Sequence, residues 1–154
     1  MGKVLTEMTK DGQIETDTLL PQEYIQLRID VGWGHPEKEH ARTALKNSLV
    51  VFSKRIDGKA VGTVRVVGDG KLCFYIQDWM VLSTTKRQGI AAELFQSAMN
   101  FIKQHAAPNA FIGLMAAAGV DGFYEKYGFI KRPNESVGPG MFLYHERPGE
   151  LSEI

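Results

Sequence analysis

Apolar residues recur along this chain at changing intervals, and each change marks an element. Leu20, Tyr24, Leu27 and Val31 lie three to four apart, the spacing that stacks side chains on one helical face. Asp17 or Thr18, just ahead of them, is placed to cap that helix. Gly32-Trp33-Gly34-His35-Pro36 interrupts the pattern. Pro36 suits the first turn of a second helix over Glu37–Asn47, acidic early and basic late at Lys46. From Leu49 to Ile56 the residues are β-branched and aromatic. Asp57-Gly58 is then a two-residue hairpin signal, Lys59–Val67 a second strand, Gly68-Asp69-Gly70 a turn and Lys71–Val81 a third strand. Val4–Met8 predicts a short strand ahead of them all.

The clearest helix runs from Gln88 to about Gln104. Ile90, Leu94, Ala98, Phe101 and Ile102 form its apolar stripe, with Ala91 and Phe95 beside it; Glu93, Gln96, Asn100 and Lys103 face away. After Pro108-Asn109, the apolar run Ala110–Met115 predicts a buried strand. Gly119–Tyr127 predicts a shorter helix ended by Gly128. Phe129–Lys131 begins another strand, and Met141–Glu146, past Gly138-Pro139-Gly140, makes the last. The tail from Arg147 is polar and expected to be loose. A strand–helix–strand unit around the long helix requires a parallel pair and a right-handed crossover. The expectation is therefore one α/β domain over residues 1–154, with a mixed central sheet of six to seven strands and helices on both faces.

Charge and composition narrow the function classes. Eighteen Lys and Arg balance eighteen Asp and Glu, so no broad basic field for nucleic acid is expected. The single cysteine, Cys73, excludes an internal disulfide and a cysteine-cluster metal site, and its strand position predicts a packed small side chain. His40, His105 and His145 share no metal-ligand spacing, so no metal is expected. No apolar run approaches the ~20 residues of a membrane span, and no signal-peptide core follows Met1. The expected location is the cytoplasm, without a membrane partner.

Candidate chemistry concentrates in two motifs. Lys86-Arg87-Gln88-Gly89-Ile90-Ala91 follows a strand and opens a helix. Such a turn presents main-chain N–H groups at the positive end of a helix dipole, which suits an anion. A Walker phosphate loop and a dinucleotide fingerprint both fail on spacing, which leaves a solvated basic cap or a phosphate-binding turn of another kind. The second motif is Phe123-Tyr124-Glu125-Lys126-Tyr127-Gly128-Phe129. Its aromatic residues suit a small core, and a phenol can also donate a proton to a leaving group.

Together the two motifs resemble those of the Gcn5-related N-acetyltransferases (GNAT): a basic-x-x-Gly-x-Gly/Ala turn and, later, Phe-Tyr-x-x-x-Gly-Phe. Lys86 stands where that family usually has Gln or Arg. The resemblance extends from Tyr24 to Tyr144. It implies the GNAT fold and transfer of an acetyl group from acetyl-CoA to an amine, by direct attack in a ternary complex. It implies that Lys86, Arg87, Gln88, Gly89, Ile90 and Ala91 wrap the cofactor pyrophosphate. A bulge in the fourth strand of that fold is expected to free the backbone of Trp79, Met80 and Val81 for pantetheine, with an oxyanion donor near Met80. Tyr124 is implied as the acid for the departing thiolate. Tyr75 and Gln77 fall where other members carry a base, although neither is one at neutral pH; Asp78, by alternation, should point to the opposite face from Tyr75, Gln77 and Trp79. Trp33 and His35 lie in the break that usually forms the substrate-side lid, as pocket lining or as an ordinary corner. Asp30, Glu37 and Asp78 are candidate partners for a cationic amine. The acceptor is expected to be a small-molecule amine, with a protein amine or a non-catalytic acyl-CoA sensor as alternatives. A homodimer is common in the family.

Overall fold

A computed structural model describes residues 12–85 and 88–146. In chain order the elements are β1 (Ile14–Thr16), α1 (Pro21–Asp30), α2 (Lys38–Asn47), β2 (Val50–Ile56), β3 (Lys59–Gly68), β4 (Cys73–Val81), a 3-10 turn (Ser83–Thr85), α3 (Ile90–His105), β5 (Phe111–Gly113) and α4 (Asp121–Glu125). The strands form one sheet in the order β1-β2-β3-β4-β5. Neighbours are antiparallel except β4 and β5, which run parallel. The α/β class and the mixed sheet match the sequence expectation.

The strand count does not: the sheet has five strands among the described residues, where six to seven were expected. Residues 129–131 and 141–146 run as irregular chain. Pro133 and Pro139 offer no N–H to a ladder. Asn134 takes the nearby donors for itself: its Oδ1 accepts from the N–H of Ser136 and Val137, and its own N–H donates to the Val137 carbonyl. Val4–Met8 lies outside the described residues. The three-residue β1 was unforeseen, because Ile14 is its one apolar residue. Ala110–Met115 is not a buried strand either. Only Phe111–Gly113 pairs, and Phe111 and Met115 are exposed. Cys73 is likewise exposed rather than packed.

Helix starts differ in detail. Asp17 does not cap α1; it sits at φ 56° and its Oδ1 accepts the Val51 N–H at 2.8 Å, tying it to β2. The helix instead begins with Pro21, and Glu23 reaches back to accept the Leu20 N–H at 2.9 Å. Pro36 lies ahead of α2 rather than in its first turn. At the β2–β3 hairpin Asp57 and Gly58 both have positive φ, as a tight two-residue turn requires.

Helices cover both faces of the sheet. Phe52 and Lys54 of β2 meet Phe101 and Glu93 of α3. Arg55 pairs with Glu23 of α1, and Arg65 of β3 bonds the Ala44 carbonyl and the Ser48 hydroxyl at the end of α2. Phe74, Phe95, Leu94, Ile102, Val64 and Val66 are fully buried in the core of this part. Burial at ~25 cal/mol per Å² makes such a layer the main source of stability.

The chain divides into two compact units between Met115 and Ala116. Within the second, Gly128 closes α4 in a left-handed conformation, φ 90°, and its N–H donates to the Glu125 carbonyl at 3.0 Å. Tyr124 and Phe129 meet edge to face there, and Phe123 contacts both Tyr124 and Tyr127. Lys131 pairs with Asp121 at 2.6 Å.

Candidate active site

The site is built on an irregularity in β4. Arg65 pairs with Gln77 and Thr63 with Met80, so two steps along β3 oppose three along β4. The extra residue is a β-bulge. Asp78 lies within it at φ 53°, a left-handed conformation that Asp tolerates better than bulkier residues. Beyond the bulge β4 runs on to Val81, yet its parallel ladder with β5 covers only Cys73–Tyr75. Trp79, Met80 and Val81 thus lie past the end of that ladder.

The bulge corrects one expectation about side-chain direction. Gln77 pairs with Arg65, so it shares the α1–α2 face. Asp78 takes the same face, where Tyr24, Arg28 and Arg65 contact it. The Gln77 amide is 3.5 Å from the Asp78 Oδ1. Tyr75 also lies on this face, opposite Val67. Trp79 is on the other: its indole N–H donates to the Ala91 carbonyl at 3.2 Å and its ring packs on Phe95. The extra residue shifts the alternation by one, so Asp78 sides with Gln77 and Tyr75 rather than opposing them.

Asp78 is also not a free partner for a cationic amine. Its side chain is 1% exposed and accepts from Tyr24 Oη at 2.6 Å, Arg28 at 2.8 Å and Arg65 Nε at 2.7 Å. Burial pushes the Tyr24 phenol above its ordinary value, and the hydrogen bond to Asp78 pushes it the same way. Asp30, another candidate, accepts from Gln26 on the exposed side of α1. Sequence reading overlooked Arg28 and Arg65. Tyr24 and Arg28 at i, i+4 were the available signal for a polar patch on α1.

Below the bulge α3 begins. Gly89 is its N-cap at φ 76°, without a side-chain cap hydrogen bond, and no atom lies within 4 Å of where a Cβ would be. As glycine, the N-cap has no side chain to bond the first N–H groups of the helix. Gln88 is exposed, Ala91 half-buried, and Ile90 buried so that only its main chain can face a ligand. Lys86 and Arg87 lie outside the described residues. Gly62 lets α3 come close to β3, since a Cβ there would stand 3.0 Å from Leu94 and 3.3 Å from Ile90.

At the corner between α1 and α2, Trp33 is 44% exposed and Arg28 lies 5.5 Å from its ring centroid. His35 is exposed, its Nδ1 3.2 Å from the Pro36 carbonyl oxygen. In the second unit Tyr124 is buried, and burial pushes its phenol up. Among the described residues no group of three His, Cys, Asp or Glu is placed to hold a metal, and no helix is long and apolar enough to cross a membrane.

Comparison with known proteins bears on what this arrangement does. The sequence profile of an acetyltransferase (GNAT) domain matches residues 34–144. An uncharacterized N-acetyltransferase of Pyropia yezoensis is 31% identical over 123 residues, covering 77% of this chain and 68% of its own length. Among solved structures, a protein of unknown function from meticillin-resistant Staphylococcus aureus, described as a probable acetyltransferase, superposes with a TM-score of 0.75 at 27% identity, over 86% of this chain and all of its own. A GNAT family acetyltransferase from Streptococcus pneumoniae does so with a TM-score of 0.71 at 27% identity, over 88% of this chain and 98% of its own.

Proposed function

The chain belongs to the Gcn5-related N-acetyltransferase family, and from that premise we propose that it transfers an acetyl group from acetyl-CoA to the primary amine of a small molecule by direct attack in a ternary complex. The observation that carries this reading is the end of the β4–β5 ladder beside a bulge, on a strand whose Trp79 bonds the first turn of a helix with glycine as its N-cap. These two features fit the two parts of coenzyme A. The uncapped N–H groups behind Gly89 suit a pyrophosphate, with Gln88, Ile90 and Ala91 contributing main chain and Lys86 and Arg87 contributing charge. The stretch Trp79–Val81 suits pantetheine, laid along β4 as an added strand.

The chemistry then assigns roles to particular groups. A main-chain N–H near Met80 stabilises the oxyanion. Tyr124 donates a proton to the departing thiolate; its raised pKa keeps the phenol protonated at neutral pH. Tyr75 and Gln77 are not bases and Asp78 is occupied by two guanidinium groups, so the amine either binds already neutral or sheds its proton to a water chain. The further proton that nitrogen loses on acylation leaves to solvent, balancing the one that Tyr124 gives the thiolate. No nucleophile stands out in the sequence for a covalent intermediate. Trp33 and His35 border the acceptor side.

Thermal stabilisation by acetyl-CoA, followed by thiol release with a panel of polyamines, amino sugars, amino acids and a peptide, tests the reading. Release with a small amine is expected. Release with the peptide alone would replace the acceptor class, and no stabilisation by acetyl-CoA would overturn the cofactor assignment.

A further inference from the structure

We propose that Arg28, anchored on Asp78, is a positioning residue that fixes Trp33 for the amine acceptor; the inference rests on the acetyltransferase reading above. Asp78 is a buried carboxylate with two guanidinium partners, and the two differ in where else they bond. Arg65 turns into the scaffold, to the Ser48 hydroxyl at 3.1 Å and the Ala44 carbonyl at 3.4 Å, both at the end of α2. Arg28 turns outward. Its Nε donates to the Gly34 carbonyl, its Cζ lies 5.5 Å from the centroid of the Trp33 ring, and its NH1 bonds Asp78.

The corner that Arg28 reaches is permissive by composition. Glycines flank Trp33, Gly32 is at φ 82°, and a Cβ at either glycine would meet nothing within 4 Å. Trp33 is exposed over nearly half its surface. A planar fork can hold such a corner in one place, because it bonds the buried Asp78 carboxylate and the Gly34 carbonyl at once while its charge lies over the indole. The other end of the strut is the bulge itself, next to Gln77. Arg28 therefore spans the distance from the opening in β4 to the indole on the acceptor side. A fixed indole makes the acceptor's binding surface ready before the amine arrives.

Arg28→Met tests this, because Asp78 keeps Arg65 and Tyr24 and the fold survives. The acceptor KM should rise about tenfold with kcat within about threefold. The acetyl-CoA Kd should stay within about twofold. Arg28→Lys retains the charge at Asp78 but not the fork to Gly34, and its acceptor KM should fall between the two. A Trp79→Phe background isolates Trp33 emission, and acrylamide quenching there should increase with Arg28→Met. An unchanged acceptor KM, an acetyl-CoA affinity that falls in step with it, or unchanged quenching would each overturn the proposal. If the wild-type protein binds acetyl-CoA and releases thiol with no amine, the acceptor reading fails, and the quenching comparison alone decides whether Arg28 holds Trp33.

Discussion

From Cys73 to Tyr75, β4 is bonded to β3 on one edge and β5 on the other; from Gln77 to Val81, its ladder among the described residues is with β3 alone. The first half carries Phe74, fully buried, and follows simple alternation. The second half carries an extra residue, a left-handed Asp78 and a knot of buried charge. One strand thus serves as scaffold over half its length and, on the proposed reading, as a ligand edge over the rest. An open edge would invite non-specific pairing. The bulge, anchored by Tyr24, Arg28 and Arg65, gives this one a fixed shape instead.

Substitutions can break or sharpen this contrast. The largest effect should come from the closed half. Phe74→Ala should remove about 3–5 kcal/mol of stability in a urea titration, with acetyl-CoA affinity per folded molecule retained. Loss of both together would erase the distinction between the halves. At the open end, Gly89→Glu should weaken acetyl-CoA binding at least ~100-fold, or about 2.7 kcal/mol, by calorimetry. Its cost in stability should be only about 1–2 kcal/mol for a non-glycine residue in the left-handed region. Undiminished affinity would remove the anion role from this helix start.

Tyr124→Phe should lower turnover by about tenfold to a hundredfold and leave acetyl-CoA affinity intact. Burial raises the Tyr124 pKa above the ordinary 10.0, so the proton-bearing form persists past that pH. No basic limb in kcat below pH 10 should therefore belong to this group. A limb near pH 8 that disappears in Tyr124→Phe would contradict its assignment. The smallest effect should belong to neither half. At Glu23, burial pushes the carboxyl up, but the Arg55 hydrogen bond, the Leu20 N–H and the Arg55 charge outweigh it and leave the group below its ordinary 4.5. A carboxyl depressed in the folded state adds stability above its unfolded value, which is lost as pH falls through the folded one. Glu23→Gln should flatten the loss of melting temperature below about pH 4.5 and leave thiol release at neutral pH unchanged.

Much of this architecture is legible in the sequence because its signals are local. Periodicity marks the stripe of α3 and, at Tyr24 and Leu27, that of α1, although Leu20 is exposed; Asp57-Gly58 marks the hairpin, and Gly89 marks a helix start without a side chain. Legibility ends where long-range pairing decides. Lys71–Val81 alternates plausibly with or without a bulge, so only the register against β3 exposes the extra residue. Met141–Glu146 has strand-like composition, yet Met141, Phe142 and Leu143 are exposed and the segment pairs with no described strand. Arg28 and Arg65 read as ordinary charged residues until the fold brings them, from fifty and thirteen positions away, onto one carboxylate.

Lifting Asp78 out of the chain would set Trp79 against Val64 and leave Met80 against Thr63, with every remaining side chain keeping its present face. The apolar pattern on either side is indifferent to the insertion. A single codon therefore carries the carboxylate that Tyr24, Arg28 and Arg65 share, and the apolar alternation around it leaves no record of its presence.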